Sequence, residues 1–123
     1  MAKILLVEDD LPLVRMYEVV LKKAGFDLVI ALDGEEGLAK IKADNPEVVL
    51  LDLVMPKKDG FTVLKELQGD SKLSKIPILC LSVLHQAEDI EHAKHLGAVD
   101  FLVKTEVTPE EIVIRIKKHL KSS

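Results

Sequence analysis

Short apolar runs rich in branched side chains alternate with stretches of helical period along this chain, and that alternation constrains the fold most. The runs are Lys3–Val7, Asp27–Ala31, Val48–Leu51, 76–81 and 99–103. None alternates strictly between apolar and polar residues, which suits strands covered on both faces. Between them, Leu13, Met16, Tyr17, Val20, Leu21 and Ala24 make one helical stripe, with Gly25 placed to end it. Asp33 with Glu36 reads as a capping box for a helix whose inner face is Leu38 and Ile41, with Pro46 beyond its end. Phe61, Leu64 and Leu67 mark a shorter helix closing near Gly69, and Ile90, Ala93 and Leu96 a thin stripe before Gly97. Thr108-Pro109-Glu110-Glu111 is a strong helix start. Ile112, Val113, Ile116 and Leu120 follow it, with Lys117, Lys118 and Lys121 near the negative helix end. The order βαβαβαβαβα predicts a parallel sheet with helices on both faces and right-handed crossovers, an α/β fold.

The 123 residues, 48% of them hydrophobic, suffice for one core, so a single domain over 1–123 is expected. Asp and Glu outnumber Lys and Arg 21 to 17, which argues against broad binding to a nucleic-acid backbone. The one cysteine, Cys80, excludes an internal disulfide and a thiolate zinc cluster. It sits in an apolar run and is expected to be a buried thiol in a reducing cytoplasm. No apolar run approaches the roughly 20 residues of a membrane span, and the patch 4–7 is too short for a signal peptide.

Open parallel sheets bind ligands outside the carboxyl ends of their strands. There the first strand leads into Glu8-Asp9-Asp10, the third into Asp52, the fourth into Ser82 and the fifth into Lys104. Two carboxylates 4 Å apart repel by roughly 4 kcal/mol at an effective dielectric near 20. Such a cluster calls for a cation: Lys104 is one, and a hard divalent ion such as Mg²⁺ is the natural second. A metal held this way leaves positions for phosphoryl oxygens, and Asp52 could act as a nucleophile forming an aspartyl phosphate. Taken singly, each residue has an ordinary reading: Asp10 caps the next helix, Asp52 is a turn residue, Lys104 is a solvated charge. Their coincidence at one sheet edge carries the signal. His92 and His95, with Glu88 one turn earlier, could ligate zinc but read better as a solvated helix face, and His119 suits the negative end of the last helix.

Five segments together resemble the receiver domain of two-component response regulators, especially the single-domain, chemotaxis-regulator-like kind. They are Ile4-Leu5-Leu6-Val7-Glu8-Asp9-Asp10, Leu51-Asp52-Leu53-Val54-Met55-Pro56, Asp59-Gly60-Phe61, Leu81-Ser82 and Gly97-Ala98-Val99-Asp100-Phe101-Leu102-Val103-Lys104. The resemblance runs from Lys3 to about Leu120. It implies a flavodoxin-like (βα)5 doubly wound sheet with strand order 2-1-3-4-5. Asp52 then matches the phospho-acceptor. Asp9 matches a direct Mg²⁺ ligand, Glu8 an acid that reaches the metal through water, and the Val54 backbone carbonyl a third protein ligand. Ser82 matches the switch hydroxyl, Lys104 the lysine that pairs with the phosphoryl group, and Phe101 the aromatic switch. The implied partners are a histidine kinase or phosphotransfer protein and an unknown output protein. The implied output face is the fourth helix, fifth strand and last helix, in a monomer or a phosphorylation-dependent dimer. No membrane or direct nucleic-acid contact is expected, nor enzymatic activity beyond its own phosphorylation and slow dephosphorylation.

Some positions depart from the family pattern. Thr105 stands where a cis proline is usual, which leaves the Lys104–Thr105 isomer open, and Val83 replaces a smaller residue. Lys57 and Lys58 occupy a loop that often holds glycine and read as solvated charges. The apolar Val54 and Leu84 suggest slow loss of the phosphoryl group. Among rivals, a phospho-aspartate hydrolase of the haloacid dehalogenase type needs a second Asp where Val54 stands. A flavodoxin-like cofactor binder needs a phosphate loop where Glu8-Asp9-Asp10 would repel phosphate. A degenerate receiver, binding partners without phosphorylation, is the remaining alternative.

Overall fold

The computed structural model describes residues 1–120. Strands β1 (Lys3–Val7), β2 (Asp27–Ala31), β3 (Val48–Leu51), β4 (Ile78–Ser82) and β5 (Asp100–Val103) form one parallel sheet in the order β2-β1-β3-β4-β5. The crossovers contain α1 (Leu11–Lys23), α2 (Gly34–Asp44), α3 (Gly60–Gln68) and α4 (Ala87–His95), and α5 (Pro109–His119) follows β5. This is the flavodoxin-like α/β architecture that the alternation and the resemblance predicted. Lys121 lies outside the described residues.

The pleat divides the core in two. Leu5, Val7, Val49, Leu51, Ile78 and Cys80 face Leu38 and Ile41 of α2, Val63, Leu64 and Leu67 of α3, and Ala93 of α4. Ile4, Leu6, Val48, Leu50, Leu79, Leu81 and Leu102 face Val14, Tyr17 and Leu21 of α1 with Ile112 and Ile116 of α5. Each fully buried branched side chain contributes about 1.5–3 kcal/mol of transfer free energy, an upper figure. Cys80 is buried as expected, and desolvation pushes its thiol up to about 12.

The helix signals hold with local corrections. Asp10 caps α1 by accepting from the Leu13 N–H, but the inner face of α1 is Val14, Tyr17 and Leu21. Met16, placed in the stripe, is 41% exposed because the buried arc is rotated toward Val14. Asp33 accepts from the Glu36 N–H at 2.8 Å, while Glu36 Oε1 accepts from Leu32 N rather than from the cap residue's own amide. Thr108 and Glu111 form the full reciprocal capping box. At the end of α4, Gly97 adopts φ +106°, and the Gly97 and Ala98 amides donate to Lys94 and Ala93 carbonyls. A left-handed residue there favours glycine, which is why Gly97 was a legible stop. The fourth strand begins at Ile78 rather than at residue 76. Ile76 closes the 3-10 turn Leu73–Lys75, and Pro77 has no N–H for the ladder. It also reaches Ser82, which pairs with Val103.

Candidate functional site

Four side chains meet where β1, β3 and β5 end. Glu8 and Asp52 each continue a ladder one residue past the strand: the Glu8 N–H donates to Ala31 O and the Asp52 N–H to Val7 O, both at 3.0 Å. Lys104 does the same, its N–H donating to Ser82 O at 2.8 Å. Ladder bonds rather than loop conformations thus set these side chains side by side. Glu8 is 1% exposed and Asp52 4%, whereas Asp9 is exposed at the rim. The Lys104 Nζ lies 2.5 Å from Glu8 Oε1 and 3.0 Å from Asp52 Oδ2. Glu8 Oε2 accepts from the Asp10 N–H, and Asp52 Oδ1 from the Val54 N–H.

The electrostatics are unbalanced toward negative charge. Burial raises the Glu8 carboxyl above its ordinary range; contact with Lys104 opposes this and the Asp52 charge reinforces it. Burial alone would lower the Lys104 ammonium, but Glu8 and Asp52 override it and hold the charged form more firmly. One ammonium therefore pairs with two of the three carboxylates at this edge. Glu8, Asp9 and Asp52 each offer an oxygen, all within 4.8 Å of one another. Glu8 Oε1 is buried with the Lys104 ammonium as the one polar group recorded against it among the described residues. A buried, incompletely satisfied all-oxygen donor set fits a hard divalent cation such as Mg²⁺.

Ser82 is buried at the end of β4, and its Oγ accepts from the Leu84 N–H at 3.3 Å. Its recorded partner is that local amide, not Asp52. Phe101 is half-buried, paired in register with Cys80, and packs on the core beneath α4. No cis peptide occurs among the described residues, so Lys104–Thr105 is trans. The apolar Val54 and Val83 flank the acids, each 52% exposed.

Several groups play parts the sequence did not disclose. Lys57 adopts φ +66°, the conformation that favours glycine at such a position. Its side chain is 65% exposed, as a solvated charge should be, with Nζ 3.6 Å from Asp33 Oδ2, whereas Lys58 is more covered and its Nζ lies 2.6 Å from Glu66 Oε2. His92 is exposed, as a solvated helix face requires, but it also has an aromatic partner. Its ring stacks on Phe61, centroids 4.6 Å apart and planes 14° from parallel. Among the described residues, the acid trio at the strand ends is the single candidate metal group, so the histidines of α4 form none. His119 meets Asp100 Oδ2 at 3.2 Å, and Arg115 meets Asp100 Oδ1 at 2.5 Å. The i, i+4 spacing of Arg115 and His119 on one helix face was the signal available for that cluster.

Residues 4–117 match the family model of the response regulator receiver domain. The chain is 40% identical over 119 residues to a probable transcriptional regulator, ycf27, of Porphyridium aerugineum, covering 97% of this chain and 48% of that protein. It spans about half the length of the curated relatives it matches. The receiver domain of Francisella response regulator 1452 superposes with a TM-score of 0.90 at 28% identity, covering 97% of this chain and 96% of that one. The Mn²⁺-bound form of response regulator Rcp1 superposes with a TM-score of 0.85 at 30% identity, covering 100% of this chain and 97% of that one.

Proposed function

This chain belongs to the response regulator receiver domain family, and from that membership we propose that it is a phosphorylation-driven switch with Asp52 as the phospho-acceptor. The observation that carries the reading is the Glu8, Asp9, Asp52 and Lys104 constellation, with Lys104 seated on the Asp52 carboxylate at 3.0 Å. The donor is a phosphohistidine of a kinase or phosphotransfer protein. An Asp52 oxygen forms the new O–P bond as the P–N bond to the donor breaks, and the electron pair leaves on the imidazole nitrogen. Lys104, already charged between two acids, stabilises the negative oxygens of the transferring group. Glu8, Asp9, Asp52 and the Val54 backbone carbonyl would hold Mg²⁺. When bound, that ion supplies the positive charge that offsets the carboxylates and the phosphoryl oxygens.

The acyl phosphate adds roughly −1.5 to −2 charge and strong acceptor oxygens. Ser82 Oγ now accepts only a local amide bond, so its proton is free to turn toward such an acceptor. Phe101, packed on the core below α4, then follows into the space near Ser82. The α4-β5-α5 face changes and a partner protein reads it. The chain promotes its own phosphorylation and slow dephosphorylation and turns over no other substrate. Its Mg²⁺ dependence and its location in the cytoplasm belong to the same reading. That no described helix is long and apolar enough to cross a membrane accords with it.

The experiment is a thermal-shift titration with Mg²⁺ and beryllofluoride, a phosphoryl mimic. A ligand that binds only the folded state at about 100 times its Kd stabilises by roughly 2.7 kcal/mol. The wild-type midpoint is expected to rise with the mimic, and Asp52→Asn is expected to lose that rise. An equal rise in both proteins, or none in the wild type, overturns the assignment.

A further inference from the structure

We propose that Phe61 and His92 form a latch through which the backbone of Asp52 positions α4, a route separate from Ser82 and Phe101. The chain of contacts starts at the phospho-acceptor itself. Gly60 opens α3 against it: a Cβ at residue 60 would lie 2.5 Å from the Asp52 carbonyl oxygen and 2.7 Å from Leu53 Cα. The Gly60 N–H also donates to Leu53 O at 3.1 Å. With no gap at this contact, a shift of the Asp52 backbone has to move the first turn of α3. The next residue, Phe61, is half-buried and carries the His92 ring on its face.

His92 sits in a helix with little else to hold it. Ala93 is the one buried side chain of α4, and its N-cap, Gln86, makes no side-chain capping bond. A side-chain hydrogen bond also ties α3 to α4, Gln68 Nε2 donating to His95 O at 3.3 Å, and Ala93 shares the buried cluster of Val63, Leu64 and Leu67. The stack adds to a small apolar contact in fixing α4 against α3, and α4, with one buried side chain, is an element that a small displacement can re-site.

The latch is closed in the arrangement where Lys104 is paired with Asp52. In this proposal a phosphoryl group on Asp52 draws Lys104 onto its own oxygens, and the accompanying shift of the Asp52 backbone, passed through Gly60, opens the stack. Coupling between two sites is reciprocal, so opening the latch should make the Asp52 edge bind a phosphoryl mimic more tightly. Phe61 and His92 are positioning residues in this account, which rests on Asp52 being the phospho-acceptor.

The test compares wild type, His92→Ala and His92→Phe in the full chain. His92 is exposed, so neither variant threatens the core. Amide hydrogen exchange is followed across α4 without mimic, and beryllofluoride affinity is then measured in Mg²⁺. Aromatic pairs of this geometry are worth enough that His92→Ala should exchange faster across α4 and bind the mimic roughly threefold more tightly. His92→Phe, which keeps a ring on Phe61, should match wild type in both. Unchanged α4 exchange, unchanged affinity, or a His92→Phe variant that behaves like His92→Ala overturns the latch. If wild type binds no mimic, the phospho-acceptor assignment fails and the coupling with it, while the exchange data still report whether the stack holds α4.

Discussion

Lys104 does at the residue scale what no other side chain in the site can do: it neutralises Glu8 and Asp52 together while only 10% exposed. Removing a partner from a buried pair costs more than the pair itself contributes, because the stranded charge stays desolvated. Lys104→Met is therefore expected to lose about 3–5 kcal/mol in urea unfolding at neutral pH. Asp52→Asn removes a repulsion and leaves Lys104 on Glu8, so it is expected to match or exceed wild-type stability. Equal losses in both variants would mean the cluster is a structural ion pair rather than a charge-strained site. Glu8, Asp52 and Lys104 were legible because each directly follows a short apolar strand whose end the sequence marks, and Asp9 comes next after Glu8. His92 and Lys57 were not, because their partners Phe61 and Asp33 lie on other elements and follow no local spacing rule.

At the scale of elements, the last helix shows which signals are local and which are not. Its start was plain in Thr108-Pro109-Glu110-Glu111, since capping depends on residues within one turn. Its fastening to β5 through Asp100 is tertiary. Burial would raise the Asp100 carboxyl, but hydrogen bonds from Arg115, His119 and the Phe101 N–H bring it below its ordinary value of 3.8. A carboxyl depressed on folding contributes stability above its unfolded value and loses it as pH falls through the folded one. Asp100→Asn should therefore cost about 1 kcal/mol near neutrality, modest because Arg115 is 40% exposed. That gap should close as pH drops below 3.8. Urea midpoints across an acid series check this, and a gap constant with pH would contradict it. The start of β4 was misjudged for an opposite reason. Ile76 is apolar enough to read as strand, but its amide is committed to the preceding 3-10 turn.

For the whole molecule, the parallel sheet with helices on both faces followed from alternation and right-handed crossovers, whereas the strand order followed from the resemblance to the receiver family. That topology places the ends of β1, β3 and β5 together, with Ser82 at the end of β4 between the last two. The chain spans about half the length of the curated relatives it matches. The acid edge is proposed to accept a phosphoryl group on one side chain, Asp52. Intact-mass measurement after incubation with acetyl phosphate and Mg²⁺ tests it most directly. The account predicts one added phosphoryl group per wild-type chain and none on Asp52→Asn. A wild type that stays unmodified, or a variant that is modified equally, would contradict it.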